Sequence, residues 1–317
     1  MGGDAAPAVA VEGAKLAIER GINTLLVGIP DQVGETGDVE LVACTEAIGM
    51  DEDPAAGVRR KKDSSLVRAA EMVRDGQAAA MVSAGNTGAT MGAALLRMGR
   101  LPGVLRPAIA TPIPRPGSTP CVMLDAGANA ECSPQMLLQF AQMGSAFAAH
   151  RFGVAEPTVA LLSIGEEKSK GTPLVKETHE LLASGAAGIN FVGNVEGRDL
   201  IPSPVDVIVT DGFTGNVALK TMEGVLKFIM GTLLEVLTAD EESKAAAKVI
   251  LPNLMGVAGQ LDPEGLGGAM LLGLNGVCVI SHGSSSAKAI ENATAVGYEM
   301  AAAGVVDAIA AALEPKE

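Results

Sequence analysis

The chain has 317 residues, of which 48% are hydrophobic and only 2% aromatic, and it carries a formal charge of -14. That length and aliphatic content exclude disorder and supply one large domain with an ample core. The acidic balance excludes a general nucleic-acid role, because phosphate backbones require a basic face. Four scattered cysteines, Cys44, Cys121, Cys132 and Cys278, fit neither a zinc pair nor a disulfide framework and read as reduced, buried cytosolic thiols. The start, Met1-Gly2-Gly3-Asp4, has no basic stretch followed by an apolar one, so a cytoplasmic chain is expected.

In chain order, short aliphatic or β-branched runs at 23–28, 39–43, 78–83, 121–125, 158–164, 189–193, 205–210 and 276–281 predict strands. Helical periodicity fills much of the space between them, at 8–20, 66–75, 134–150, 173–183 and 287–302. Such alternation predicts one α/β domain over residues 1–317, with a largely parallel, helix-covered sheet. The proline-rich stretch 111–117 reads as a stiff turn and a hinge within that domain.

Residues 217–260 differ, since two long helical stretches follow each other without a strand and predict a protruding helical hairpin. Its first arm is apolar on more than one face, at positions such as Leu219, Leu226, Ile229 and Leu233, which calls for a second contact surface, most simply another copy of the chain. Lys220, Glu223, Lys227 and Glu235 exclude a membrane span there. The second arm sets Ile250, Leu251, Leu254 and Met255 beside Lys244 and Lys248, a pattern compatible with membrane-surface contact, although ordinary packing is the commoner reading.

Four places show a strand, a glycine-rich turn with small polar residues, then a helix: 83–88, 165–171, 211–216 and 281–286. Such junctions expose helix N-terminal amides that an anion can approach closely. In a parallel sheet they gather on one edge, so together they predict a pocket for phosphate or carboxylate, although any one alone is more often a plain tight turn. There is no G-x-G-x-x-G, and Lys170 precedes the second glycine of 165–172 where a Walker loop needs it after. His150 and His179 fall in helical patterns and read as packing or surface residues, whereas His282 stands at a strand end among glycine and serine, where it can face a bound anion. Ser284 lacks a nucleophile elbow, and no His, Cys, Asp and Glu grouping has metal-site spacing. Arg59-Arg60-Lys61-Lys62 forms a cationic entrance to a helix capped by Asp63 or Ser64, either a solvated charge run or a docking patch for an acidic partner.

Taken together, Met-Gly-Gly-Asp at 1–4, Arg-Arg-Lys-Lys-Asp-Ser-Ser at 59–65, Ser-Ala-Gly-Asn-Thr-Gly-Ala at 83–89, Leu-Asp-Ala-Gly-Ala-Asn at 124–129, Gly-Asn-Val-Glu-Gly-Arg-Asp at 193–199, Thr-Asp-Gly-Phe-Thr-Gly-Asn at 210–216 and His-Gly-Ser-Ser at 282–285 resemble the bacterial phosphate acyltransferase family. The resemblance implies a three-layer α/β/α sandwich of the isocitrate-dehydrogenase-like and phosphotransacetylase-like kind, a homodimer without metal or cofactor, and peripheral membrane association. It also implies a short apolar strand ahead of Met1, and a histidine where this chain has Ala5.

The implied reaction joins inorganic phosphate to the acyl group of acyl-acyl-carrier protein in phospholipid synthesis, and a glycerol-3-phosphate acyltransferase would use the product. Since a thiol of pKa near about 8.5 leaves readily, positioning and charge neutralisation should dominate over acid-base catalysis. On this reading phosphate meets the amides of Gly85 to Gly88 and of Gly212 to Gly215. Asn86 and Asn216 serve as orienting donors, and Thr87, Thr214 and Ser284 lie alongside. Lys170 offsets charge, His282 and Lys176 assist, Asp211 orients its neighbours, and Arg59 to Lys62 receive the acidic carrier. An acyl-coenzyme A phosphotransacetylase and a non-catalytic membrane scaffold remain the alternatives; a decarboxylating dehydrogenase lacks its carboxylate cluster.

Overall fold

Aliphatic strands and amphipathic helices alternate along the described residues, 1–185, 188–261 and 263–314 of a computed structural model. In chain order they are α1 (Ala8–Glu19), β1 (Leu25–Gly28), α2 (Pro30–Val33), β2 (Glu40–Ala43), α3 (Pro54–Arg60), α4 (Ser65–Arg74), β3 (Ala80–Ser83) and α5 (Thr87–Arg97). Next come β4 (Ala108–Ile113), β5 (Cys121–Leu124), α6 (Pro134–Phe152), β6 (Thr158–Leu162), α7 (Pro173–Ala183), β7 (Asn190–Val195) and β8 (Val207–Val209). The remainder is α8 (Gly212–Leu237), α9 (Glu241–Gln260), β9 (Ala269–Leu272), β10 (Val277–Ile280), α10 (Ala287–Ala302) and α11 (Val305–Leu313). Helix α6 shows the local logic. The Ser133 hydroxyl accepts from the Met136 amide, Pro134 takes a position where no donor is needed, and Gly153 ends the helix at φ 68°.

Eight strands form one sheet in the order β3-β10-β9-β4-β5-β8-β6-β7. Side chains alternate across it. Val122, Leu124, Val159, Leu161 and Val207 meet Leu137, Phe140 and Met143 on one face, while Met123, Ala160, Ile208 and Cys278 meet Val67, Ala89 and Ala93 on the other. Helices therefore cover both faces of the sheet, and each fully buried large side chain contributes roughly 1.5–3 kcal/mol.

The sheet is mixed rather than largely parallel. β3 pairs parallel with β10, and β5, β8, β6 and β7 pair parallel in turn. Between the two sets, the β10–β9, β9–β4 and β4–β5 pairings are all antiparallel. The sequence reading lacked β4 and β9, and the stretch expected as a hinge begins inside β4. Pro112 explains the misreading. It lies opposite Val122 of β5, while the β9 ladder ends at Ala110, so its missing N–H removes no bond on that side.

Helices α8 and α9 are joined by residues 238–240 and pack on each other. Phe228, Val236 and Val249 on them are 73%, 64% and 78% exposed. Among the described residues, no single helix is long and apolar enough to cross a membrane.

Strands β1 and β2 form a separate two-stranded sheet. Between β1 and β3 lies a cavity of about 440 Å³, lined by every residue of 22–27 and of 77–85 and by Met1. Consecutive strand residues can share one lining only through their backbone edge, so two open ladders face each other across this space. Among the described residues β1 and β3 are each paired on one side only. Appending five to six apolar, β-branched residues ahead of Met1 is expected to raise the thermal midpoint by several degrees, measured by circular dichroism. A polar glycine-serine extension of equal length leaves it unchanged.

Candidate functional site

Strand direction decides which turns can meet. Three antiparallel pairings in succession reverse the direction between β10 and β5. The turns after β3 and β10 therefore lie at one end of the sheet, and those after β5, β8 and β6 at the other. The expectation that all four glycine-rich turns gather on one edge is corrected accordingly: 83–88 pairs with 281–286, and 165–171 pairs with 211–216.

At the first end three backbone segments touch. The Asp4 amide donates to the Gly283 carbonyl at 2.8 Å, and a Cβ added to Gly3 would stand 3.1 Å from the carbonyl oxygens of both Ala84 and Gly283. Asn86 caps α5. Its Oδ1 accepts from the Ala89 amide at 3.0 Å, and its Nδ2 donates to the Gly49, Met50 and Glu52 carbonyls at 3.3, 3.1 and 3.2 Å. Buried and fully used, Asn86 holds the 49–52 loop and is not an orienting donor to a ligand, contrary to expectation. Among the described residues the Thr87 and Gly88 amides have no acceptor, as is usual for helix-start amides without a capping partner. On the neighbouring turn, exposed His282 accepts through Nδ1 from the Ser284 amide at 3.2 Å and contacts the Ser284 hydroxyl at 2.7 Å. That tautomer leaves the ring proton on Nε2.

The second end is built differently. Asp211 caps α8, its Oδ1 accepting from the Thr214 amide at 2.9 Å and its Oδ2 from the Thr214 hydroxyl at 2.8 Å. The Gly212 amide donates to the Asn129 carbonyl at 2.8 Å and the Gly215 amide to the Asp211 carbonyl at 2.9 Å. These amides are spent, and the cap is itself a carboxylate, so the expected phosphate cradle at Gly212 to Gly215 and Thr214 is corrected. The two glycines serve packing instead: a Cβ would fall 2.6 Å from the Asn129 oxygen at Gly212 and 2.0 Å from the Asp125 oxygen at Gly215. What this end does offer is side chains. Exposed Asn216 lies against Gly127, whose added Cβ would stand 3.5 Å from the Asn216 Cβ. Exposed Lys170, on the turn after the adjacent strand β6, folds over Gly165, and exposed Lys176 follows on α7. That turn is pinned by Asn194, which donates to the Glu167 carbonyl at 3.2 Å and contacts His179 Nδ1 at 2.9 Å.

Asp125 lies in the Leu-Asp-Ala-Gly-Ala-Asn motif at 124–129, where the sequence alone assigns it no role. Its fully buried carboxylate accepts from five N–H groups, those of the Ile109, Gly127, Ala128 and Asn129 amides and the Asn129 side chain. Burial pushes the Asp125 carboxyl up from its usual range, and these donors pull against that shift.

Of the cationic run, Lys61 turns inward, its Nζ donating to the Ala47 carbonyl at 2.6 Å and to Glu52 at 2.5 Å. Arg59, Arg60 and Lys62 remain exposed. The Lys61 hydrogen bond holds the Glu52 carboxyl below its ordinary range. Ser64 sits at the α4 start without a side-chain capping bond, and Asp63 instead accepts from Thr45 and Arg68, so the expected cap is absent.

A family model described as a fatty acid synthesis protein matches residues 1–308. A protein of Pelotomaculum thermopropionicum named phosphate acyltransferase is 46% identical over 326 residues, covering 100% of this chain and 94% of its own. A protein of the same name from Leptospira biflexa is 45% identical, with coverage of 95% and 91%. Among solved structures, a phosphotransacetylase from Streptococcus pyogenes aligns with a TM-score of 0.61 at 20% identity, over 94% of this chain and 91% of its own, and so shares the fold.

Asn86→Ala removes the three hydrogen bonds that tie α5 to the 49–52 loop and the cap to the Ala89 amide, and is expected to cost about 1–3 kcal/mol of stability in urea unfolding. Burial pushes the Cys121 thiol to about 11 and the Cys278 thiol to about 12. Neither should therefore react with iodoacetamide at pH 8 until the chain unfolds, as read by mass spectrometry.

Proposed function

Because the chain belongs to the fatty acid synthesis protein family, with close relatives named phosphate acyltransferase, we propose that it transfers the acyl group of acyl-acyl-carrier protein to inorganic phosphate. The carrying observation is the match along the whole chain at 46% identity. A phosphate oxygen forms the new bond to the thioester carbonyl carbon and the carbon–sulfur bond breaks. The products are acyl phosphate and the carrier's free thiol, which takes up a proton from solvent. Phosphate and thiol need no strong base or acid at neutral pH, so catalysis is positioning and charge neutralisation.

In this proposal the open Thr87 and Gly88 amides, with Gly85 beside them, hold phosphate at the α5 start. His282 donates from Nε2, and Ser284 sets its ring. Lys170 and Lys176 offset charge, and Asn216 orients the thioester carbonyl. These groups occupy opposite ends of one chain's sheet, so a centre using all of them is assembled from two copies. The exposed apolar residues of α8, which starts at the Asn216 end, supply the surface for such a homodimer.

The outer hairpin, with Val249 and Ile250 exposed beside Lys244 and Lys248, would rest on a membrane surface. There the acyl phosphate would pass to a glycerol-3-phosphate acyltransferase. Arg59, Arg60 and Lys62 would receive the acidic carrier.

Lys170→Ala and Asn216→Ala are each expected to lower acyl-phosphate formation at least a hundredfold with unchanged circular dichroism. Mixing Lys170→Ala with His282→Ala, after exchange of subunits, should restore up to about a quarter of normal turnover, since half the dimers then hold one intact centre. No recovery would refute shared centres. Carrier affinity should fall as salt rises from low to physiological strength, measured by calorimetry. A faster rate with acyl-coenzyme A than with acyl-carrier protein would favour the phosphotransacetylase reading.

A further inference from the structure

We infer that Asp125 is a positioning residue, the buried template on which the start of α8, and with it Asn216, is seated. This rests on the reading of Asn216 given above. A buried carboxylate normally requires a cation or a full set of donors. Asp125 has the second kind of partner. Oδ1 accepts from the Ile109, Gly127 and Ala128 amides at 3.0, 3.2 and 2.9 Å, and Oδ2 from the Asn129 amide and side chain at 2.7 and 2.8 Å. All five are N–H groups of uncharged residues, so the carboxylate folds the 125–129 turn around itself and joins it to β4.

That turn then carries α8. The Gly212 amide donates to the Asn129 carbonyl, and the Asp125 amide donates to the Thr210 carbonyl at 3.0 Å. A Cβ at Gly212 would lie 2.7 Å from Asp125 Oδ2, and one at Gly215 would overlap the Asp125 carbonyl oxygen. The first helical turn is thus in direct contact with the template, and Asn216, the next residue, lies against Gly127. A chain of contacts therefore runs from one carboxylate through one turn to the side chain proposed to face the thioester. An amide in place of the carboxylate would keep the shape but turn an NH₂ group toward N–H donors, opening the turn from within.

The test compares Asp125→Asn, Asn216→Ala and the double variant in the full-length chain, with steady-state kinetics and amide hydrogen exchange. Asp125→Asn is expected to lower kcat at least tenfold with KM for the carrier within twofold. It should also speed exchange of the Ala128, Asn129 and Gly212 amides at least tenfold while α6 stays protected. Added to Asn216→Ala, it should lower kcat less than twofold further, because both act through one side chain. Multiplicative losses, or unchanged exchange at Gly212, would overturn the inference. Normal turnover of Asn216→Ala would instead overturn the reading of Asn216, while the exchange result still judges whether Asp125 seats the helix. Should Asp125→Asn fail to fold, Asn129→Ala, which removes one of the two Oδ2 bonds together with the side chain's bond to the Pro107 carbonyl, is expected to show the same exchange pattern at smaller size.

Discussion

The reversal of strand direction at the middle of the sheet is the constraint on which the rest depends. Two strands, β4 and β9, stand between two parallel sets and turn one against the other. Each parallel set then presents its own C-terminal turns, and in open α/β sheets such turns carry the ligand groups. One chain consequently holds two partial surfaces facing apart. The first has open helix amides and an imidazole but no lysine on its turns; the second has lysines and a carboxamide but no open cradle at the α8 start.

Backbone accounting separates these surfaces more sharply than charge does. Both are helix starts after short strands, and both are rich in glycine. At α5 the cap is a neutral carboxamide, and among the described residues the two amides after it have no acceptor. At α8 the cap is a carboxylate, and the Gly212, Thr214 and Gly215 amides of the cradle proposed from sequence are already committed. The glycines there are required because Asp125 and its turn come too close for any Cβ. Glycine in a strand–turn–helix junction thus carries two different meanings, ligand access and close packing, and only the partners of the amides tell them apart.

Much of the fold was legible in the sequence. Strands such as β5, β6, β8 and β10 are uninterrupted aliphatic runs, and helices such as α6 begin with Ser-Pro and end at glycine. The strands that escaped are those whose local signals conflict. β4 holds a proline tolerated only by its place in the ladder, and β9 follows closely on a glycine-rich stretch. Missing them hid the reversal, and so placed four turns on one edge. The site was legible as motifs but not as contacts. Asn86, Lys61 and Thr214 look like ligands by type, yet each is consumed by a partner far in sequence or by its own cap. Asp125 looks like an ordinary strand end in the sequence, and only its burial and its five donors set it apart.

The most direct measurement is a crystal structure grown with orthophosphate and an unreactive acyl-thiol analogue. A tetrahedral anion is expected on the Thr87 and Gly88 amides, with His282 of that copy and Lys170 of a second copy both within hydrogen-bonding reach. An anion seated instead at the α8 start, or one bound at α5 with no second copy near it, would contradict the account.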